Sequence, residues 1–310
     1  MKILLFLICL HSYIILSLPV AVIHGFYDSC SSSYFPTLIK VLKYNVYDFA
    51  VCLKSGEGSE SLSLSFEKQC EKACEEIKSY PQFKKDFSIL SISQGGLIAR
   101  YIIQKCDMEG NVKKLVSFGG PMMGTSQIPF CLEGVSCFII NSLADYFVYS
   151  KRIQNNIGPA GYYRTAAHIE DFNNSNSSLY KLNYPNEKEK EKFKNLTSLV
   201  LIGFEDDKMI SPKETAEFGV FDKKFNVLKM NETDEYKSDS FGLKTLNEEG
   251  KIKIFYLKGG HLNFDFDDVL KFAVKSKIKK HSWKKKSIIL IKLVYMRVNY
   301  IYFPIHFLFV

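Results

Sequence analysis

The chain has 310 residues, 46% of them hydrophobic, which is enough for one large α/β domain with a full core and an insertion. Its formal charge is +8, but nine Lys or Arg residues and no acidic residue lie between Lys275 and Arg297, so the rest of the chain carries a net charge of −1. Because that body shows no concentration of basic residues with interleaved aromatics, nucleic acid is excluded as an expected partner.

The first residues have the composition of a secretory signal. Lys2 precedes an apolar run over residues 3–10 that continues through Leu16. A first buried strand is the alternative, but residues 20–23 already supply that strand. Residues 1–17 are therefore predicted to be a signal peptide.

Cysteines and sequons agree with the secretory route. Seven cysteines follow residue 17, so in an oxidising compartment some pair and at least one stays free. The candidate glycosylation sites are the N-x-S/T sequons at Asn173, Asn176, Asn195 and Asn231.

Strands and helices are expected to alternate over the first 120 residues. The apolar patterns predict strands at residues 20–24, 45–52, 87–92 and 114–118, and helices at 64–77 and 96–105. Alternation at this spacing indicates a mostly parallel sheet with right-handed crossovers and helices on both faces.

The alternation stops after Gly119-Gly120. Residues 121–195 are expected to form a helical, lid-like insertion over the top of the sheet. Strands resume at residues 199–202 and end with residues 252–257, so the folded domain is predicted to span residues 18–274.

The tail, residues 275–310, is first basic and then apolar. Lys292 and Arg297 interrupt the apolar part, so it fails the test for a transmembrane helix. An interfacial anchor with weak membrane-surface contact, a poorly ordered extension, and a gene model that runs past the true stop all stay open.

Ser93 stands where an apolar strand runs directly into a glycine-started helix, Ser93-Gln94-Gly95-Gly96. This is the pattern of a nucleophile elbow, in which small neighbours let strand and helix approach closely. Ser91 replaces the first glycine of G-x-S-x-G, so the motif is imperfect.

A serine nucleophile needs a base and an acid that orients the base. Ser93, Asp207 and His261 occur in the chain order of α/β-hydrolases, each after a predicted strand. Asp206 and then Glu205 are the alternatives for the acid, and a solvated loop histidine is the alternative reading of His261.

The oxyanion hole is expected to be built from two backbone amides. They are the N–H of Gln94, directly after the nucleophile, and the N–H of Phe26, in the turn after the first strand. His24 is read as a structural hydrogen-bonder. The predicted fold is therefore an α/β-hydrolase fold with a helical insertion.

Several motifs together resemble the lysosomal palmitoyl-protein thioesterases. They are His24-Gly25 with Asp28-Ser29-Cys30, Ser93-Gln94-Gly95-Gly96, Gly119-Gly120 with Gly124 and Pro129-Phe130-Cys131, Tyr149-Ser150-Lys151, residues 204–212 with Phe218-Gly219, Gly242-Leu243-Lys244 and Gly260-His261-Leu262. The resemblance runs from about residue 19 to residue 270, and the order and spacing of the motifs make it specific.

The resemblance implies an enzyme that removes long-chain fatty acyl groups from cysteines of S-acylated proteins in the lysosome. Ser93, Asp207 and His261 match the family's triad, and Phe26 and Gln94 match its oxyanion amides. No metal or cofactor is expected. The insertion is the expected wall of a long apolar groove for the acyl chain.

The resemblance also implies two disulfides. Cys74 with Cys106, and Cys131 with Cys137, match pairs of that family in position. The family's adjacent pair after Asp-Ser is broken, because Ser31 follows Cys30. Cys30, Cys52 and Cys70 are left unassigned, and a bridge between Cys30 and Cys52 is one option.

Two other functions remain open from the sequence. A lipase or carboxylesterase could use the same triad, and a catalytically inactive, secreted lipid-binding protein could keep the same scaffold. The expected partners are S-palmitoylated proteins and fatty acyl thioesters. The lysosome is the expected location, with secretion as the alternative, and the sequence makes no prediction of oligomeric state.

Overall fold

The computed structural model describes residues 18–128 and 135–274. The predicted signal peptide (1–17) and tail (275–310) lie outside the described residues. The strands, in chain order, are β1 (Val20–Ile23), β2 (Ala50–Leu53), β3 (Phe87–Ile92), β4 (Val112–Phe118), β5 (Ser198–Phe204), β6 (Val220–Phe221), β7 (Val227–Leu228) and β8 (Ile252–Leu257).

Six of these strands form one sheet in the order β2-β1-β3-β4-β5-β8, and every neighbouring pair in it is parallel. The central strand β3 is buried at every position. Its sequence, Phe-Ser-Ile-Leu-Ser-Ile, is nearly continuous in apolar residues because parallel strands are covered on both faces. β6 and β7 make a separate antiparallel pair. The predicted α/β architecture is confirmed.

The helices, in chain order, are α1 (Tyr34–Asn45), α2 (Glu60–Ser63), α3 (Phe66–Ser79), α4 (Gly95–Lys105), α5 (Val135–Phe147), α6 (Lys151–Gln154), α7 (Ile169–Asn174), α8 (Ser178–Asn183), α9 (Glu187–Lys194), α10 (Asp234–Lys237), α11 (Leu243–Glu248) and α12 (Phe266–Val274). Short 3₁₀ turns lie at Pro81–Lys84, Pro159–Tyr162, Lys213–Glu217 and Met230–Glu232.

The two faces of the sheet carry different helices. Alternate residues of a strand point to opposite faces, so Ala21 and Ile23 pack with α3 and α4, while Val20 and Val22 pack with α1 and α12. The sheet is therefore the middle layer of a three-layer core, with α4, the helix that follows Ser93, buried against it.

Helix α1 is a correction to the sequence-based expectation. Residues 45–52 are predicted as one strand, but the structure ends α1 at Asn45 and begins β2 at Ala50. Pro36 lies in the first turn of α1, where proline is tolerated because no intrahelical partner for the N–H exists. Phe35, Leu38 and Leu42 form the buried face of α1.

The segment between β4 and β5 contains α5 to α9 and the 3₁₀ turn Pro159–Tyr162. An isolated parallel bridge joins Thr125 to Tyr163, and the two segments are also linked by the hydrogen bond from the Arg164 N–H to the Thr125 carbonyl at 2.9 Å. These contacts bring the turn Pro159–Tyr162 over the carboxyl edge of the sheet. The domain limits 18–274 and the insertion limits 121–195 stay predictions.

Across residues 18–128 and 135–274, no helix combines the length and apolar character required to cross a bilayer.

Candidate active site

Ser93 lies on the sharp turn between β3 and α4. Its φ is +50°, a left-handed backbone conformation that non-glycine residues rarely adopt. The turn also needs small neighbours, since a Cβ on Gly95 would lie 2.6 Å from the Ile23 carbonyl oxygen, and one on Gly96 would lie 2.8 Å from Ser117 Oγ. The elbow therefore holds the serine hydroxyl above the carboxyl edge of the sheet.

The replacement of the elbow's first glycine by Ser91 is accommodated in the core. Ser91 is fully buried, and its hydroxyl donates to the Val116 carbonyl on β4 at 3.4 Å. With its hydroxyl bonded inside the core, Ser91 is compatible with the elbow at Ser93, which keeps its φ of +50°.

His261 bridges the serine and an aspartate. Its Nε2 lies 3.0 Å from Ser93 Oγ, and its Nδ1 lies 2.6 Å from Asp207 Oδ2. An ionised carboxylate only accepts hydrogen bonds, so Asp207 fixes the proton on Nδ1 and leaves Nε2 to accept from the serine hydroxyl. Gly119 packs against the imidazole ring of His261. Its φ is +60°, and a Cβ there would come within 3.1 Å of His261 Cε1.

The three consecutive carboxylates after β5 have different surroundings. Glu205 and Asp206 are exposed, whereas the side chain of Asp207 is 2% exposed. Asp207 Oδ1 accepts hydrogen bonds from the backbone N–H groups of Met209 at 2.8 Å and Ile210 at 3.4 Å. Of the three acids, the structure thus brings Asp207 to the imidazole.

Both residues expected to form the oxyanion hole lie beside the nucleophile. Phe26 and Gln94 line the same cavity as Ser93 and His261. Gly25 makes that approach possible, since a Cβ on it would lie 3.2 Å from Ser93 Cβ.

His24 stands apart from this arrangement. Its ring lies edge-on to Phe35, with Nδ1 2.9 Å from the Gly25 carbonyl oxygen. His24 therefore has the surroundings of a buried side chain with a structural role.

The cavity at Ser93 has a volume of about 120 Å³. Its walls are largely apolar and come from several segments, including Met209 and Ile210 after β5 and Leu262 after β8. Polar side chains among the lining residues include those of Ser93, His261, Asp28 and Thr125. Such a cleft suits an apolar group attached to a reactive carbonyl.

Two features of the site are not predicted by the sequence analysis. For Gly119 the sequence indicates the end of the strand–helix alternation and a place among the family's motifs, but not its positive φ or its contact with His261. Gln69 lies on the apolar face of α3, between Phe66 and Ala73 at helical spacing, and its side chain contacts Gln94. A polar residue on that face is the signal that could have revealed it.

The structure contains two disulfides among the described side chains. Cys74 is bonded to Cys106, which ties α3 to the end of α4, and Cys30 is bonded to Cys52. Cys70 is free, and burial raises the pKa of its thiol. The expected Cys131–Cys137 bridge lies outside the described side chains.

The four sequon asparagines, Asn173, Asn176, Asn195 and Asn231, are all exposed. Asn195 also accepts a hydrogen bond from Lys113 Nζ at 3.2 Å. Their glycosylation stays a prediction.

His24, Cys30 and Glu57 are one set of potential metal ligands in the described part of the chain, with ligand atoms within 4.8 Å of one another. Cys30, however, is in a disulfide, and Glu57 accepts the Cys30 backbone N–H at 2.7 Å. These contacts hold the loop after β1 in place, so the three residues have a structural role.

A serine on an elbow after a central parallel strand, with a histidine and an aspartate after two later strands, defines the serine hydrolases of the α/β-hydrolase fold. The family model described as "Palmitoyl protein thioesterase" matches residues 19–261. The chain belongs to the palmitoyl protein thioesterase family.

Curated relatives give the same result. Palmitoyl-protein thioesterase 1 of Caenorhabditis elegans is 33% identical over 196 residues, which cover 61% of this chain and 65% of that protein. Palmitoyl-protein thioesterase-dolichyl pyrophosphate phosphatase fusion 1 of Schizosaccharomyces pombe is 30% identical over 82% of this chain and 43% of that protein. Lysosomal thioesterase PPT2 of Bos taurus is 32% identical over 76% of this chain and 77% of that protein. The match spans less than two thirds of the first two relatives.

Proposed function

We propose that this protein is a serine hydrolase that cleaves long-chain fatty acyl thioesters, such as palmitoyl groups on cysteines of S-acylated proteins. The observation that carries the proposal is the hydrogen-bonded series from Ser93 through His261 to Asp207 in a chain of the palmitoyl protein thioesterase family. Ser93, His261 and Asp207 are assigned as nucleophile, base and orienting acid.

The first half-reaction forms an acyl-serine. Ser93 Oγ attacks the thioester carbonyl carbon while His261 Nε2 takes the hydroxyl proton. The carbonyl oxygen becomes an oxyanion, which the backbone N–H groups of Gln94 and Phe26 stabilise. The intermediate collapses with cleavage of the carbon–sulfur bond, and the imidazolium returns its proton to the departing cysteine sulfur.

The second half-reaction releases the fatty acid. Water loses a proton to His261 Nε2 and attacks the acyl-serine carbonyl, and the Ser93 oxygen leaves with the proton that His261 returns. Asp207 stays ionised throughout and stabilises the imidazolium formed in each half. No step of this mechanism uses a metal or a cofactor, and we propose that the reaction needs neither.

Acyl-chain length is expected to govern binding. Each buried methylene contributes about 0.8 kcal/mol, so a chain of about sixteen carbons supplies most of the binding energy. Medium and short acyl thioesters should therefore be turned over with a higher KM.

The proposal is tested with the purified protein and a fluorogenic palmitoyl thioester. Ser93→Ala should lose all turnover above background, while Ser79→Ala, at an exposed serine ending α3, should match the wild type. Equal hydrolysis by the wild type and Ser93→Ala would refute the proposal. A strong preference for the palmitoyl oxyester over the thioester would assign the chain to lipases or carboxylesterases.

The same proposal includes location. Relatives named lysosomal thioesterases in Bos taurus and Homo sapiens support passage through the secretory pathway to the lysosome. S-palmitoylated proteins would be the partners met there. Co-localisation of the tagged full chain with a lysosomal marker tests this, and retention in the cytosol would contradict it.

A further inference from the structure

A continuous series of buried amides and hydroxyls lies behind the residues assigned to the oxyanion hole. Gln69 on α3, Gln94 at the elbow and Tyr162 in the insertion are all buried. Gln69 Nε2 donates to the carbonyls of Ser61 and Leu64, both at 2.9 Å. Both donor hydrogens of the Gln69 amide are therefore committed to backbone.

The two carbonyls determine how the whole series is oriented. Because the Gln69 amide nitrogen must face them, its Oε1 faces the elbow and accepts from Gln94 Nε2 at 2.7 Å. The Gln94 oxygen is then turned the other way and accepts from the Tyr162 hydroxyl at 2.9 Å. Turning either amide over would set oxygen against oxygen, so one arrangement satisfies every group.

The series also reaches the other half of the oxyanion hole. Ser61 Oγ accepts the backbone N–H of Tyr27 at 2.8 Å and donates to the Gly58 carbonyl at 2.7 Å. The Gly58 N–H donates to the Asp28 carbonyl at 2.9 Å. Through Ser61, Gln69 is thus connected to the turn that contains Phe26, and through Gln94 to the elbow.

Close packing holds Gln69 in this position. A Cβ on Gly56 would lie 2.8 Å from Gln69 Cγ, and a Cβ on Gly158 would lie 2.4 Å from Gln69 Nε2. Gly158 belongs to the insertion and Gly56 to the loop after β2, so two separate segments close on this side chain. Buried amides that are hydrogen-bonded in this way favour a single geometry.

We propose that Gln69 is a positioning residue for the oxyanion hole, acting through the Gln94 side chain and through Ser61 to fix the backbone N–H groups of Gln94 and Phe26. The inference rests on the proposed function, because it deepens the role of the same site. Oxyanion donors act only when held about 2.7–3.1 Å from the developing charge. Loss of Gln69 should therefore slow the chemistry more than it weakens substrate binding.

Gln69→Met keeps the size of the side chain and removes its hydrogen bonds. The matched control is Gln104→Met, since Gln104 is also fully buried on a helix and donates to a backbone carbonyl, that of Leu182, at 2.9 Å. With palmitoyl thioester, Gln69→Met should lower kcat about 10–100-fold and leave KM within about twofold. Gln104→Met should lower the melting temperature but not kcat. Equal kcat losses in the two variants, or a loss confined to KM, would overturn the proposal.

A double-variant cycle tests the path of action. Gln94→Met removes the side-chain amide but keeps the backbone N–H and the route through Ser61, so it should lower kcat, with a loss no larger than that of Gln69→Met. If Gln69 acts through Gln94, the double variant loses no more than the larger single loss, because coupled residues are non-additive. Losses that multiply would show that the two side chains act independently and would contradict the proposal.

A readout that does not depend on the substrate separates this inference from the proposed function. The rate at which a fluorophosphonate labels Ser93 also depends on the oxyanion hole. If the wild type is labelled but turns over no palmitoyl thioester, the proposed function fails, and labelling alone decides the role of Gln69. At least about tenfold slower labelling of Gln69→Met than of Gln104→Met would support positioning, and equal rates would overturn it.

Discussion

At the scale of single residues, the carboxyl that orients His261 is set by a local turn. Asp207 accepts two backbone N–H groups with one oxygen and faces Nδ1 with the other, while its neighbour Asp206 points to solvent. Asp207→Asn should lower kcat about 10³–10⁴-fold, because an amide no longer enforces the tautomer with the proton on Nδ1. Steady-state kinetics of Asp206→Asn supply the comparison, which should stay within about twofold of the wild type. A large loss of kcat in Asp206→Asn with a small loss in Asp207→Asn would instead assign Asp206 as the acid that orients His261.

Gly95 permits the contact between the elbow and β1. A Cβ there would lie 2.6 and 2.7 Å from the backbone oxygens of Ile23 and His24, atoms that cannot rotate away. Gly95→Ala should lower the free energy of unfolding by about 2–3 kcal/mol through overpacking. Urea unfolding measures this, with Gly58→Ala as control. Gly58 has a φ of +54° and no atom within 4 Å of an added Cβ, so Gly58→Ala should lose stability through backbone strain alone, about 1–2 kcal/mol. A smaller loss in Gly95→Ala than in Gly58→Ala would contradict the close-contact interpretation.

At the scale of elements, the bounds of two strands were predictable and side-chain networks were not. The strands β3 and β8 begin and end where their apolar runs predict. Because parallel strands share a carboxyl edge, the sequence also indicated that Ser93, Asp207 and His261 converge there. α1 was not predicted, although its buried residues Phe35, Leu38 and Leu42 recur at helical spacing. The polar side chain of Gln69 on the apolar face of α3 is visible in the sequence, but its contacts are not, because two of its partners are backbone carbonyls, which no sequence pattern reports.

Arg100 joins α4 to the insertion and to the loop after β4. Its guanidinium donates to the carbonyls of Met122 and Leu182 and to Asn183 Oδ1, and it lies 4.4 Å from the centre of the Phe241 ring. No carboxylate in the described part of the chain forms an ion pair with it within 4.0 Å, and burial lowers its pKa. The fixed fork of the guanidinium lets Arg100 bond these acceptors while it lies over the Phe241 ring.

Arg100→Lys is therefore expected to be a severe substitution. An ammonium keeps the charge but cannot reach three acceptors on two segments while stacking on a ring, so the free energy of unfolding should fall by about 2–4 kcal/mol. Chemical denaturation monitored by circular dichroism checks this. Lys105→Arg on the same helix, at a partly exposed ion pair with Glu189, should change stability by less than about 1 kcal/mol. Equal effects of the two substitutions would show that charge alone matters at position 100.

At the scale of the whole molecule, Lys114 links the middle of the sheet to the last described helix. Its Nζ donates to the carbonyls of Phe272 at 3.1 Å and Ala273 at 2.7 Å, 158 and 159 residues away, and so caps the carboxyl end of α12. The side chain is buried at 7% exposure. Burial, with Lys253 adding to it, lowers the pKa of Lys114 from 10.5 to about 8.

The shift gives the stability a defined dependence on pH. Between pH 8 and 10.5 the unfolded chain keeps a proton at Lys114 that the folded chain has lost, so the contribution of this group to stability rises with pH. Over that window the gain approaches about 3 kcal/mol at 1.36 kcal/mol per unit. Urea unfolding at pH 7, 8.5 and 10 gives the free energy of unfolding of the wild type and of Lys114→Met. As the pH rises, the wild-type value should increase relative to that of Lys114→Met. Lys40→Met, at an exposed position on α1, should show no such trend relative to the wild type. A difference that is constant or moves the other way would mean that the Lys114 amine keeps its proton when buried against α12.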